Sequence, residues 1–255
     1  MTIIYSSILG TPRMIDDVPV IEQVDNSTDF VDNLKRNLKG IKKMVFIPNR
    51  WDRIPSLVQT KDEAFNDYHC NNEEYAKAIR SCFAISRLSF ENVVIIDSEY
   101  KGNIKKELED ADLIYVQGGH TTRGLNILEK IKFYDCIKNF DGTILFTSTA
   151  AKLAATRVLS THNQNLKDYD IDEGLCLKDY SIRPHFKHSR KLWFNKAHRL
   201  RVRLLKALSK EIDVYAIDSH SYIIDTEKDF LVYGPCYKFK NGKLRKFKEN
   251  ALKMR

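Results

Sequence analysis

The sequence lacks any run of apolar residues long enough to cross a membrane. No window of about 18 consecutive apolar residues occurs, so we predict no transmembrane helix and no membrane partner. The first residues, MTIIYSSILG, also lack the basic lead of a secretion signal and are typical of a first β-strand. Internal repeats, low-complexity linkers and breaks in composition are missing too, so we expect one domain over residues 1–255.

Cysteine pairs at metal-binding or redox spacing are also missing. The chain has five scattered cysteines and no CxxC motif: Cys70, Cys82, Cys136, Cys176 and Cys236. This pattern indicates neither a zinc knuckle nor a disulfide framework. We therefore expect a cytoplasmic protein in a reducing compartment, with no cofactor and no bound metal.

Charge is abundant but carries little information about partners. The net charge is +8, and lysine and arginine are densest over Lys187–Lys206 and Lys240–Arg255. Such patches are solvated faces in most proteins and sites for anionic partners in others. Because aromatic motifs of the RNA-binding type do not accompany them, we do not expect a nucleic-acid partner.

The sequence does contain an alternation of apolar strands and amphipathic helices over its first 150 residues. Short apolar runs such as Leu113–Val116 and Thr143–Phe146 are bounded by turn residues, as buried parallel strands are. The alternation predicts a three-layer α/β/α fold with a mostly parallel, doubly wound sheet. Ligands in such sheets bind at the carboxyl ends of the strands.

The second half of the chain predicts a less regular arrangement. We expect a polar loop over Leu159–Asp179, a basic helix over Lys191–Leu208, and antiparallel strands appended to the sheet at the C-terminal end. Asn241-Gly242 is a type I′ turn signal between two of these strands. The Arg50–Asn72 stretch is too long for an ordinary strand–helix connection and is either a wall of the site or a surface excursion.

One stretch has the features of a catalytic turn. The strand Thr143–Phe146 runs into Thr147-Ser148-Thr149 and then into Ala- and Leu-rich sequence, which favours a helix. A serine at this junction lies at the carboxyl edge of the sheet, where backbone N–H groups of the following helix can hold an anionic group.

These segments resemble the dipeptidase E/cyanophycinase family of serine peptidases, whose fold is like that of class I glutamine amidotransferases. The family has an ADxIYVxGGNT strand and turn, and residues 111–121 here are ADLIYVQGGHT. Its nucleophile lies in a GxSAG turn, to which Phe146-Thr147-Ser148-Thr149-Ala150 corresponds. A further segment, GLCLKDYSIRPHF, is similar to the family's GLGLL…PHF stretch.

The resemblance implies a serine peptidase site. Ser148 would be the nucleophile, His185 the general base, and Asp218 the acid that orients the imidazole. Register places Ser219 at the family's acid position and Asp218 one residue earlier, and an alternative acid position falls on Asn163, which cannot carry charge. The oxyanion and substrate-binding residues would be Gly118, Gly119, His120 and Thr149.

The sequence departs from the family pattern at the turns themselves. His120 replaces an asparagine, and Phe146 and Ala150 replace the glycines on either side of the serine. We therefore keep two interpretations: an active serine hydrolase, or a degenerate member that binds a peptide or small metabolite without hydrolysis. A zinc site formed by His120, His185 and His220 is a third idea, which no spacing motif demands.

The expected substrate is a short peptide. Arg183, Arg190 and Lys191 flank His185, and cations there would suit the acidic peptides that the family prefers, although the sequence favours a surface-exposed basic helix over this interpretation. A homodimer is compatible with the sequence, which does not determine the oligomeric state.

Overall fold

A computed structural model describes residues 1–9, 13–15, 18–20, 24, 26–49, 72–161, 169–189, 192 and 194–247. Most of the Arg50–Asn72 stretch, Asn163, Arg190 and Lys191 lie outside these residues. Within them, no helix is both long and apolar enough to span a bilayer. The single-domain division remains a prediction.

Strands and short helices alternate along the chain. The strands are β1 (Thr2–Ser6), β2 (Arg13–Ile15), β3 (Val18–Val20), β4 (Lys43–Ile47), β5 (Asn92–Ile95), β6 (Leu113–Val116), β7 (Thr143–Thr147), β8 (Arg157–Thr161), β9 (Tyr169–Glu173), β10 (Tyr180–Arg183), β11 (Asp213–Ile217), β12 (Tyr222–Asp225), β13 (Phe230–Tyr233), β14 (Cys236–Lys240) and β15 (Lys243–Phe247). The helices are α1 (Phe30–Asn37), α2 (Asn72–Ile85), α3 (Ile104–Glu109), α4 (Thr121–Lys130), α5 (Phe133–Cys136) and α6 (Lys196–Leu208), with a 3₁₀ helix over Ser148–Lys152.

The main sheet confirms the predicted fold class. Its strand order is β13-β12-β1-β7-β6-β4-β5. Strands β1, β7, β6, β4 and β5 are parallel, β12 pairs antiparallel with β1, and β13 pairs antiparallel with β12. The carboxyl ends of the parallel strands therefore lie along one edge.

Both faces of this sheet are buried, which explains its continuous apolar strands. In β6, Leu113 and Tyr115 belong to one hydrophobic cluster, and Ile114 and Val116 belong to another. This is the two-residue alternation of a strand. Helices α1 and α2 contribute to the first cluster, and α3, α4 and α5 contribute to the second. The result is a three-layer arrangement in which β6 is covered on both sides.

The C-terminal strands divide between two sheets. Strands β12 and β13 extend the main sheet, as predicted, whereas β14 and β15 join a second sheet of order β10-β11-β14-β15. Asn241 and Gly242 both have positive φ, at 50° and 73°, as a type I′ turn requires. Helix α6 packs on this second sheet and forms a third apolar cluster with it.

Three local predictions were wrong. Residues 159–179 are not all loop, because β8 and β9 form an antiparallel hairpin there. The sequence after Ser148 forms only a short 3₁₀ helix, because carbonyl groups of Leu153, Ala154 and Ala155 accept bonds from the segment 175–178 instead of continuing a helix. The basic helix starts at Lys196, where the Asn195 side chain caps it by accepting from His198 N–H.

Candidate active site

Ser148 lies at a strained turn directly after β7. Its φ is 50°, in the left-handed region that non-glycine residues rarely adopt and that costs about 1–3 kcal/mol. This backbone brings β7 sharply into the 3₁₀ helix and leaves the serine half-exposed. The bulky Phe146 does not cover the hydroxyl, because its ring is fully buried and stacks on Tyr5.

His185 follows β10 and also has a left-handed backbone, with φ 54°. Two hydrogen bonds hold the segment in place: Ser7 Oγ accepts from His185 N–H at 3.2 Å, and Ile217 O accepts from Phe186 N–H at 2.9 Å. Phe186 is buried in the third apolar cluster. The backbone of the histidine is thus fixed between the ends of β1 and β11, while the residue remains exposed.

The structure brings the serine and the histidine into hydrogen-bond contact. Ser148 Oγ lies 2.9 Å from His185 Nε2. With the ring proton on Nδ1, Nε2 accepts the hydroxyl hydrogen, as a general base must. Partial desolvation of the ring lowers the pKa of His185 below its usual 6.5, the charges of Arg183 and Lys152 lower it further, and Asp218 opposes them. A lowered pKa keeps the imidazole neutral at pH 7, when it can accept a proton.

Asp218 lies near the histidine without bonding to it. It follows β11, and its Oδ1 accepts from Ser219 N–H at 2.6 Å. Among the described residues no hydrogen bond reaches Nδ1 of His185, so the influence of Asp218 is that of a nearby negative charge, which raises the pKa of the imidazole. The role of Asp218 as the orienting acid therefore stays a prediction.

The turn at Gly118 and Gly119 (the glycine turn) packs directly against the turn at Ser148 (the serine turn). A Cβ atom built on Gly118 would lie 2.5 Å from Thr147 O and 2.6 Å from Ser148 Cβ. Such distances are far inside van der Waals contact, so only glycine fits at this position. Gly119 and His120 are exposed at the same edge. No hydrogen bond from a described residue engages the N–H of Gly119.

The side chain of Asn49 holds the glycine turn in place by hydrogen bonds. This buried side chain accepts from His120 N–H at 2.8 Å and donates to His120 O at 3.2 Å. Its own N–H donates to Gln117 Oε1 at 3.2 Å. The amide therefore fixes the backbone of His120, directly after Gly119.

The sequence interpretation missed the roles of Ser7 and Asn49. Each follows a buried strand, β1 and β4 respectively, at the sheet edge where Gly118 and Ser148 also lie. A polar residue within two positions of the end of each of these two strands was the available signal. The signal could not show which residue each side chain contacts, because Ser7 and His185, for example, are 178 positions apart.

The predicted histidine triad does not form a metal site. Within the described part of the chain, no group of three or more His, Cys, Asp or Glu side chains could hold a metal ion, so His120, His185 and His220 do not converge. No disulfide joins the described cysteines, Cys82, Cys136, Cys176 and Cys236.

Comparisons with known proteins agree on one family. A family model described as peptidase family S51 matches residues 21–232. A peptidase from an acI-B1 actinobacterium has a similar structure, with a TM-score of 0.63 and 15% identity over 100% of this chain and 96% of that chain. A candidate peptidase E protein from Listeria monocytogenes EGD-e gives 0.54 and 16%, over 91% and 96%. At these identities the two structures show a shared fold alone, and no curated protein sequence matches significantly.

Proposed function

Because the chain belongs to peptidase family S51, we propose that it is a serine peptidase that hydrolyses short peptides, acidic ones among them, through an acyl-enzyme. The observation that carries this proposal is the 2.9 Å contact between Ser148 Oγ and His185 Nε2. A hydroxyl becomes a useful nucleophile only when a base in hydrogen-bond reach removes its proton.

The proposed reaction has two halves. His185 Nε2 takes the hydroxyl proton as Ser148 Oγ attacks the peptide carbonyl carbon, and the carbonyl oxygen becomes an oxyanion. His185 then gives this proton to the leaving amine, the C–N bond breaks, and an ester on Ser148 remains. Water attacks this ester in the same way, with His185 again as base, and releases the acid product.

The oxyanion would be held by backbone N–H groups. Those of Gly119 and Thr149 are the candidates, since Gly118 joins their two turns in direct contact. Thr149 is the second residue of a 3₁₀ helix, and the first N–H groups of a helix have no intrahelical partner. Donors fixed in advance are worth about 3 kcal/mol each in such sites.

A preference for acidic peptides would follow from the local charge. Arg183 is two residues before His185, and Lys152 is four residues after Ser148. Burial lowers the pKa of His185, and the charges of Arg183 and Lys152 lower it further. A carboxylate on the substrate would be attracted to the same region.

The second candidate function is binding of a peptide or metabolite without hydrolysis. It is favoured by one observation: Asp218 makes no hydrogen bond to the imidazole, and no other described residue bonds to its Nδ1 as the acid of a complete triad would. A misoriented base lowers turnover by several orders of magnitude while binding survives.

A fluorophosphonate probe separates the two functions. We expect it to label the wild-type protein on Ser148, and we expect Ser148→Ala to abolish labelling. Ser209→Ala is the matched control, because Ser209 is a buried serine at the end of α6 with no contact to His185. Absence of labelling in folded wild-type protein, with peptide binding that survives Ser148→Ala, would establish the binding function instead.

A further inference from the structure

Three cationic side chains lie on elements that meet beside the candidate active site, since β10 contacts the 3₁₀ helix and β8 contacts both β10 and α6. Lys152 ends the 3₁₀ helix, Arg183 ends β10, and Arg201 lies on the inner side of α6. Burial lowers the pKa of Lys152 well below its usual value and that of Arg183 to about 10. Neighbouring charges act in the same direction: Arg183 and Arg201 on Lys152, and Arg201 on Arg183. We call these three residues the cation cluster.

The cation cluster is buried to an unusual degree. Lys152 is only 7% exposed. The Nε atoms of Arg183 and Arg201 are fully enclosed and have no hydrogen-bond partner, and neither has the hydroxyl of Ser160 on β8, a strand that contacts both α6 and β10. In the described part of the chain, no acidic side chain forms an ion pair with any member of the cluster.

Proteins rarely tolerate such an arrangement without a reason. Buried polar atoms are nearly always hydrogen-bonded, and buried charges are paired, because desolvation without compensation is costly. Here, among the described residues, Lys152 has no ion-pair partner, and the Nε atoms of both arginines and the hydroxyl of Ser160 have no hydrogen-bond partner. The ordinary explanation, an ion pair that stabilises the fold, does not apply to this cluster.

We propose that Lys152, Arg183, Arg201 and the hydroxyl of Ser160 form a binding site for an oxyanion, a carboxylate or phosphate group. Guanidinium groups match the planar or tetrahedral arrangement of these oxygens, and lysine adds a point charge. An oxyanion would satisfy the donors that the chain leaves unsatisfied. The inference does not require that Ser148 be catalytic.

The position of the cation cluster allows two sources of this oxyanion. Lys152 is four residues after Ser148, and Arg183 is two residues before His185. A carboxylate of a bound peptide could therefore occupy the site, and so could a free inorganic anion held beneath the active site. The chemistry of recognition is the same in both cases, so an experiment must separate them.

Thermal unfolding with inorganic phosphate tests whether the site exists. At a saturating concentration we expect phosphate to raise the Tm of the wild-type protein by about 5 °C over sodium chloride of equal ionic strength. Arg201→Met and Lys152→Met should abolish most of this rise. Both should also raise the Tm without phosphate, since an apolar side chain of similar length replaces an unpaired buried charge.

Arg203→Met is the matched control. Arg203 is on the same helix, two residues from Arg201, but is exposed, so the response to phosphate should stay at the wild-type level. The proposal is overturned if phosphate stabilises the wild-type protein no more than chloride does. It is equally overturned if the response persists in both Arg201→Met and Lys152→Met, because the anion then binds elsewhere.

Calorimetric titration of Ser148→Ala separates the two sources. If the site takes a carboxylate of the substrate, a short peptide with an aspartyl side chain should bind at least tenfold more tightly than its asparaginyl counterpart, and phosphate should displace it. If the site takes a free anion, phosphate should bind without affecting either peptide. Should neither peptide bind, the proposed peptidase function is weakened, and the phosphate titration still decides the anion site.

Discussion

Replacement of Ser7 by alanine would test whether the candidate base is held in position by its backbone. The Ser7 hydroxyl, which is fully buried, accepts from His185 N–H at 3.2 Å and donates to Ile217 O at 3.4 Å. Ser7→Ala removes both bonds and leaves the His185 N–H without a partner. The left-handed backbone of His185 would then lose the contact that opposes its intrinsic cost.

The expected loss has a structural and a functional part. A buried donor left unsatisfied costs about 1–3 kcal/mol, which at about 2–4 °C per kcal/mol for a chain of this size lowers the Tm by about 2–12 °C. The expected loss of labelling is larger than this loss of stability alone would produce. A shift of about 1 Å in the imidazole would reduce reaction with a fluorophosphonate about tenfold to hundredfold per folded molecule.

Ser209→Ala provides the comparison for this experiment. Ser209 is equally buried, donates to Lys206 O at 2.9 Å and accepts from Gly242 N–H at 3.0 Å, so its hydroxyl has the same kind of partners as that of Ser7. We expect a similar fall in Tm and an unchanged labelling rate at a temperature where both variants are folded. Equal labelling rates in Ser7→Ala and Ser209→Ala would refute the positioning role of Ser7.

Two further predictions concern the neighbours of this pair. Gly118→Ala should reduce labelling of Ser148 at least hundredfold, because the added Cβ would lie 2.5 Å from Thr147 O and displace the serine turn; wild-type labelling would show that the two turns are not in contact. As the pH is lowered, His185 becomes protonated and the labelling rate of the wild-type protein should fall. The inflection should lie below pH 6.5, because desolvation and nearby cations lower the pKa of His185. Asp218→Asn should move that inflection to still lower pH, since the Asp218 carboxylate raises this pKa; an unchanged inflection would remove Asp218 from the site.

Much of the fold follows from patterns that are local in the sequence. The runs at β6 and β7 are mostly apolar because both faces of the sheet are covered, and their predicted bounds, Leu113–Val116 and Thr143–Phe146, agree with the observed strands to within a residue. Strand β9, Tyr169–Glu173, was missed because it is mostly polar and none of its residues is buried. It gains its place by backbone pairing with β8, which leaves no apolar pattern to detect.

The candidate site was predictable to a similar extent. Ser148 and Gly118 stand out because each follows an apolar strand with a turn, and His185 stands out through its Pro-His-Phe context. The hydrogen bonds of Asn49 to the His120 backbone and of Ser7 to the His185 N–H were not predicted, because each joins a side chain to a backbone group far away in the chain. Backbone donors and acceptors are the same at every residue, so the sequence carries no mark of which ones are engaged.

The sequence by itself determined the strands, their buried faces and the chemical identity of the hydroxyl and the imidazole. Only the tertiary structure decided that these two groups meet and that the ring of Phe146 turns into the core. It also decided that Lys152, Arg183 and Arg201 lie near one another without acidic partners in the described part of the chain. The physical reason is that side-chain periodicity is set by neighbours one to four positions away, whereas these contacts join segments that the sheet edge and α6 bring together.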